Sequence, residues 1–173
     1  MSAGKLVAGG IVLTGLAAGI AMWWLQVYAY YAPAVFVPGQ EITLMPIEGN
    51  TPEAIVVANL QGIDASSSPL RFRACFTTPL SQATLTETYR LYDHPEPLNA
   101  PSWFDCFDAK AIGAALERGE ALAFLSIPDV ESKADPQTGA VRPSGVDRVV
   151  AVFPDGRAYA WHQLSPSEQE QSQ

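Results

Sequence analysis

Hydrophobic positions along this chain fall into two regimes. From Leu6 to Tyr31 they run almost unbroken, with no acid or base apart from tyrosine, and about 20 such residues are enough to span the hydrocarbon of a bilayer. Beyond Gln40, short apolar runs and stretches of apolar/polar alternation are separated by turn residues, which is the pattern of a β-rich domain. The first regime predicts a transmembrane helix over residues 1–31. The second predicts a separate folded unit over 41–164, reached through a linker at 32–40 in which Pro33 and Pro38 remove backbone donors and fix φ.

Within the apolar run, Trp23, Trp24, Tyr28, Tyr30 and Tyr31 crowd the far end, where amphipathic rings favour the boundary of lipid and water. Lys5 lies on the near side and Glu41, Glu48 and Glu53 on the other, so the positive-inside rule places the N-terminus in the cytoplasm and the domain outside. A cleaved secretory signal, cut near Ala21, is the competing reading. It also exports the domain. Gly15 and Gly19 form a small-xxx-small pair on a stripe with Gly4, Ala8 and Met22, a candidate face for a second helix; Gly and Ala are also simply common in membrane helices.

In the domain, Ile42–Met45 and Ile55–Leu60 are β-rich and are divided by turn chemistry at Glu48–Pro52. Phe72, Ala74 and Phe76 alternate with Arg71, Arg73 and Cys75, as on a strand with two different faces. Thr84–Tyr92 is read as a strand, although Leu85, Tyr89 and Tyr92 also allow a helical spacing. One main helix is predicted over Ala109–Arg118, with Asp108 as cap, Phe107 and Ile112 as a hydrophobic staple and Gly119 as stop. Ala121–Ile127 follows as a buried strand. Val149–Phe153 and Arg157–Trp161 flank Pro154-Asp155-Gly156 and predict an antiparallel hairpin. The polar stretch Pro128–Val146 reads as a long loop, functional or mobile, and residues 165–173 as a disordered tail. The fold class expected is α+β: an N-terminal transmembrane helix, then a small, mostly antiparallel sheet with one main α-helix.

Charge narrows the partners. A net charge of -8, from 18 acids against 10 bases, repels nucleic acid and disfavours it as a ligand. Cys75 and Cys106 are the only cysteines, and in an oxidising compartment an even count favours a disulfide. Closing a loop of roughly thirty residues would add about 3 to 4 kcal/mol in the chain-entropy model. A thiol-redox or soft-metal site using the same pair is the alternative, but neither Cys-x-x-Cys nor Cys-x-x-Cys-His occurs. Asp93, His94 and Glu96 could act as ligands, yet such a loop is ordinarily a solvated turn. His162 is read as a half-buried strand residue, and Ser66–Ser68 as a turn. The chain has no Gly-x-Ser-x-Gly elbow, Walker loop or dinucleotide fingerprint. No catalytic residue, metal ligand or cofactor is assigned.

Taken together, Ser67–Phe76, Trp103–Ala109 and Val146–His162 resemble a family of short, uncharacterised single-pass inner-membrane proteins of alphaproteobacteria, over nearly the whole chain. The resemblance implies a Gram-negative inner membrane with the domain in the periplasm, and brings no catalytic residues. The reading reached is a membrane-anchored accessory, assembly or scaffolding protein with a membrane-protein partner or a second copy of itself. Its alternative is a thiol-redox or metal-delivery protein using Cys75 and Cys106. If those cysteines bond, Arg71 and Arg73 approach Asp105 and Asp108, and an ionic clasp between these pairs is expected beside the covalent one.

Overall fold

The computed structural model of the chain describes residues 3–130, 133–134, 141–142 and 144–166. Helix α1 spans Ala3–Trp24 and continues through one π turn, Leu25–Ala29. Together they make a 27-residue helix that includes an 18-residue stretch of mean hydropathy 1.9, long and apolar enough to cross a membrane, as a signal sequence also would be. None of the residues of α1 is buried, which suits a segment whose solvent is lipid.

The domain is built on one sheet. Its strands are β1 (Ala32–Pro33), β4 (Ala58–Asp64), β5 (Arg73–Thr77), β6 (Leu122–Ile127), β9 (Val146–Val152) and β10 (Arg157–Leu164), while β2 (Thr43–Leu44) with β3 (Glu53–Ala54) and β7 (Lys133–Ala134) with β8 (Val141–Arg142) make small separate hairpins. The sheet order is β1-β4-β5-β10-β9-β6, and every neighbouring pair is antiparallel. Helices α2 (Gln82–Thr88) and α3 (Ala109–Glu117) complete the α+β fold.

Both faces of the sheet are buried, which explains why β9 reads as a nearly continuous apolar run. Ala74, Phe76, Val150, Val152, Ala158 and Ala160 pack with Ile42, Leu44 and Leu85 on one face. Cys75, Val149, Ala151 and Trp161 pack with Phe104, Phe107 and Ile112 on the other. Alternate residues of each strand therefore feed different cores. The β6 edge is covered too: Tyr92 N donates to Ala123 O and Leu125 N to Arg90 O, so the 90–92 segment closes that side, protecting a donor that would otherwise recruit another chain.

The helix after Asp108 forms as its sequence predicts. Asp108 Oδ1 accepts from Lys110 N at 3.0 Å and Ala111 N at 3.1 Å, satisfying two orphan amides. Phe107 and Ile112 meet in the same core cluster. The hairpin also forms, with Ala158 opposite Val152 and Trp161 opposite Val149.

Two expectations change. Residues 84–88 of the segment read as a strand belong to helix α2, Gln82–Thr88: Ser81 Oγ caps it by accepting from Thr84 N at 3.1 Å, and Leu85 alone is buried against the sheet. Thr86 and Thr88 hydroxyls donate back to the carbonyls of Ala83 and Thr84, so residues of strand-forming type are held helical by a cap and one tertiary anchor. The segment expected as a linker is also partly ordered into the sheet, since Ala32 and Pro33 pair with Asp64 and Ile63 and Ala34 N donates to Gly62 O at 2.9 Å. A Cβ on Gly62 would lie 2.5 Å from the Phe36 ring, so only glycine lets residues 34–36 lie this close on β4. Of the expected loop at 128–146, residues 131–132, 135–140 and 143 lie outside the described residues, as do 167–173 of the expected tail.

Gly156 holds the hairpin turn at φ +85, and a Cβ there would sit 2.7 Å from the Thr78 carbonyl oxygen. The left-handed conformation alone costs an L-residue roughly 1–2 kcal/mol. Gly156→Ala is expected to lower unfolding free energy by at least about 2 kcal/mol, read as a lower urea midpoint at unchanged slope.

Candidate functional site

The cysteines close one disulfide, with Cα atoms 6.3 Å apart and 31 residues between them in sequence. Cys75 is buried in the core beneath α3, while Cys106 lies on an exposed loop. Two residues earlier on the same strand, Arg73 is only 3% exposed. Its Nε donates to Leu98 O at 2.7 Å, Nη2 to Asn99 O at 3.2 Å, and Nη1 to Leu70 O at 2.8 Å and Phe72 O at 2.6 Å. The guanidinium also lies 5.7 Å from the Phe107 ring centroid. Burial pushes its pKa down to about 10, an effect partly offset by Tyr31 and Asp64, so it stays charged at neutral pH.

The ionic clasp expected around this bond takes another form. Arg71 lies in a 3-10 turn, Pro69–Arg71, ahead of the strand; its Nη1 donates to Gln26 O at 3.2 Å and its guanidinium lies 5.4 Å from the Tyr31 ring centroid. Asp108 is occupied in capping α3. Among the described residues the ion pairs are Arg118–Glu120 and Arg157–Asp155; none joins Arg71 or Arg73 to Asp105 or Asp108. Backbone carbonyls satisfy a buried guanidinium fork in several directions at once, which one carboxylate at the protein surface would not.

Arg71 is one half of a junction between helix and domain. The other half is Trp103, whose Nε1 donates to Val27 O at 2.7 Å. Its ring stacks on Tyr28 with centroids 6.4 Å apart and meets Tyr31 edge-on at 5.9 Å. The carbonyls used are those of the π turn, where the i→i+5 pattern leaves the regular helical ladder. Gly15 and Gly19 are elsewhere, on the exposed face of α1 with Leu16, Ile20 and Trp23 around a shallow groove of about 280 Å³.

His162 is buried near the same end of the sheet. Arg148 Nε donates to its Nε2 at 3.0 Å, so the other ring nitrogen, Nδ1, carries the proton and donates to Pro69 O at 2.6 Å. The Phe72 ring stacks on the imidazole with centroids 4.7 Å apart, and Arg148 also lies 4.2 Å from that ring's centroid. Burial, then the Arg148 charge, push His162 down to about 3, with Arg73 adding to the effect and the Pro69 carbonyl opposing it. Neutral His162 thus braces the turn that carries Arg71.

A cleft of about 950 Å³ opens on the other side, between the 91–99 loop, α3 and β6. Leu91, Leu116 and Ala123 contribute apolar surface, and His94, Glu96, Lys110 and Glu117 contribute polar groups. A buried network shapes its rim. Tyr92 OH donates to Asp147 Oδ2 at 2.9 Å; Gln163 Oε1 accepts from Glu96 N at 2.7 Å and Trp161 Nε1 at 2.9 Å, while Gln163 Nε2 donates to His94 O at 3.1 Å. Burial first, and then Asp147, raise the Tyr92 phenol far above its ordinary range. Asp93, His94 and Glu96 were candidate ligands, but among the described residues no three His, Cys, Asp or Glu groups could hold a metal ion. No sequence motif marks Gln163 for this role; its one signal is a polar side chain beside Trp161 and His162.

A single apolar helix fastened to a disulfide-bonded, antiparallel α+β domain is the class of protein these features define. The chain belongs to a family of unknown function, DUF6446, matched over residues 42–172. No curated protein and no solved structure matches it.

Two outcomes follow. Replacing Cys75 and Cys106 by alanine is expected to cost about 3 to 4 kcal/mol from loop entropy, measured by denaturation of oxidised and variant protein side by side. For His162, the unfolded imidazole binds a proton below about pH 6.5, whereas the folded one resists until about 3. The unfolded state therefore binds more protons in that window, and stability is lost as pH falls through it. By pH 5 this amounts to about 2 kcal/mol; His162→Asn, which keeps an acceptor for Arg148, should flatten the slope between pH 7 and 5.

Proposed function

We propose that this protein is a membrane-anchored accessory, assembly or scaffolding protein of a bacterial inner membrane, with its N-terminus in the cytoplasm and its domain in the periplasm. The observation that carries this reading is the fixed attachment of domain to helix. Trp103 and Arg71 each hold a carbonyl of the π turn, and the next residues of the chain enter the sheet as β1. A catalytic domain needs only to be tethered, whereas a scaffold must present its surfaces at a set angle to what lies in the membrane. The Gly15/Gly19 face supplies a surface for a second helix within the bilayer, and the cleft beside α3 supplies one outside it.

The thiol-redox or metal-delivery alternative requires the cysteines as thiols, at least transiently. Both sulfurs are engaged with each other, and Cys75 is packed among core side chains. The buried ionisable groups Arg73, Arg148, His162 and Tyr92 are likewise engaged in bonds that hold loops in place.

The test is native electrophoresis of gently solubilised membranes with in-membrane crosslinking. The protein should migrate as an assembly, and Gly15→Leu with Gly19→Leu should release it to the monomer while domain stability stays unchanged. A monomer without crosslinked partners in wild-type membranes would overturn the reading.

A further inference from the structure

Lys5 to Trp24 is 20 residues, about 30 Å of helix at 1.5 Å per residue, which matches the hydrocarbon thickness of a bilayer. With Lys5 at one boundary, Gln26 and Val27 fall within one turn beyond the other. In the proposed anchoring they would lie in the headgroup layer. These are the two residues whose carbonyls the domain holds, through Arg71 and Trp103. Both side chains are therefore drawn to headgroup depth, although they belong to parts of the chain far from the helix in sequence.

Their chemistry suits that depth. Trp103 is 38% exposed and extends the aromatic cluster of Tyr28 and Tyr31, as belt residues do. The described contacts of Arg71, the Gln26 carbonyl and the Tyr31 ring, are both neutral, and a guanidinium has five N–H donors of which Gln26 takes one. The protein as a whole carries a net charge of -8 and would be repelled by an anionic surface. A cation at the helix exit is the exception, and it fits the bidentate geometry of a phosphate.

We infer that Arg71 and Trp103 form a lipid-headgroup contact: the Arg71 guanidinium takes the phosphate of an anionic phospholipid in the leaflet where α1 ends, and Trp103 completes the aromatic belt beside it. The domain is thereby seated on the bilayer surface by the Pro69–Arg71 turn and the Trp103 loop. This deepens the proposed membrane-anchored reading and rests on it.

Full-length protein is reconstituted in nanodiscs of phosphatidylcholine, alone or mixed with phosphatidylglycerol, and amide hydrogen exchange is followed at Arg71 and Phe104, whose amides bond within the two turns. One arginine at an anionic surface corresponds to about a fivefold change in equilibrium. Exchange should slow about fivefold in the mixed discs, and that difference should vanish with Arg71→Gln and in high salt. Arg71→Lys should retain part of it. Equal exchange in both discs, or a lipid effect that survives Arg71→Gln, would overturn the headgroup contact while leaving the anchor intact. Failure of the protein to enter discs at all would overturn the anchor, and this contact with it.

Discussion

Two residues on one face of β5 organise the domain. Arg73 binds the carbonyls of Leu98 and Asn99, and Cys75 bonds Cys106, so both ends of the 98–106 segment are fastened to a strand at the middle of the sheet. Trp103 sits between the two fastenings and reaches Val27. Phe104 and Phe107 fill the core beneath them, and α3 starts directly afterwards. Without these attachments the segment has little regular structure of its own, and neither the helix–domain junction nor the orientation of α3 would be defined. A buried arginine costs desolvation energy. Four backbone acceptors offset it here, and the same fork closes the Pro69–Arg71 turn through Leu70 and Phe72.

The C-terminal end of β10 performs a related task with neutral groups. His162 and Gln163 are consecutive and so project to opposite faces of the sheet. His162 holds the Pro69 carbonyl on the side of Phe72; Gln163 holds both backbone sides of the His94–Glu96 loop on the side of Trp161. One strand end thus secures the turn that faces the helix exit and the loop that rims the cleft. Polar residues at buried positions are costly unless hydrogen-bonded; here both ring nitrogens of His162 and both the amide oxygen and nitrogen of Gln163 have partners. That explains two polar side chains at buried positions near the end of the strand.

Features governed by local chemistry were legible in the sequence. The apolar run, the Asp108 cap, the Pro-Asp-Gly hairpin and the cysteine count each follow from a few adjacent residues or a simple inventory, and the structure realises all four elements. Thr84–Tyr92 was misread because Thr and Tyr favour strands in general, while the deciding features were a Ser81 cap and the burial of Leu85 against a sheet assembled from distant segments. The arginines were misread for a similar reason. Their position next to Cys75 suggested carboxylate partners near Cys106, but Leu98, Asn99 and Gln26 contribute carbonyls, and no sequence pattern marks a carbonyl as an arginine acceptor. Gln163 and the cleft depend wholly on tertiary placement.

The segment after the helix carries the largest functional consequence. Two prolines within six residues suggest a spacer, and a spacer would decouple whatever binds the helix from whatever binds the domain. With Ala32 and Pro33 as an edge strand and Phe36 packed on Gly62, that freedom is gone. The rotation of α1 about its axis then fixes the angle at which the cleft faces outward. A partner helix on the Gly15/Gly19 side would meet the domain in one register only, because the stripe that holds those glycines also holds Trp23, whose ring touches Tyr28 and through it Trp103. Under the proposed function, a helix bound at the Gly15/Gly19 face and a partner bound at the cleft would therefore be geometrically linked through a single chain.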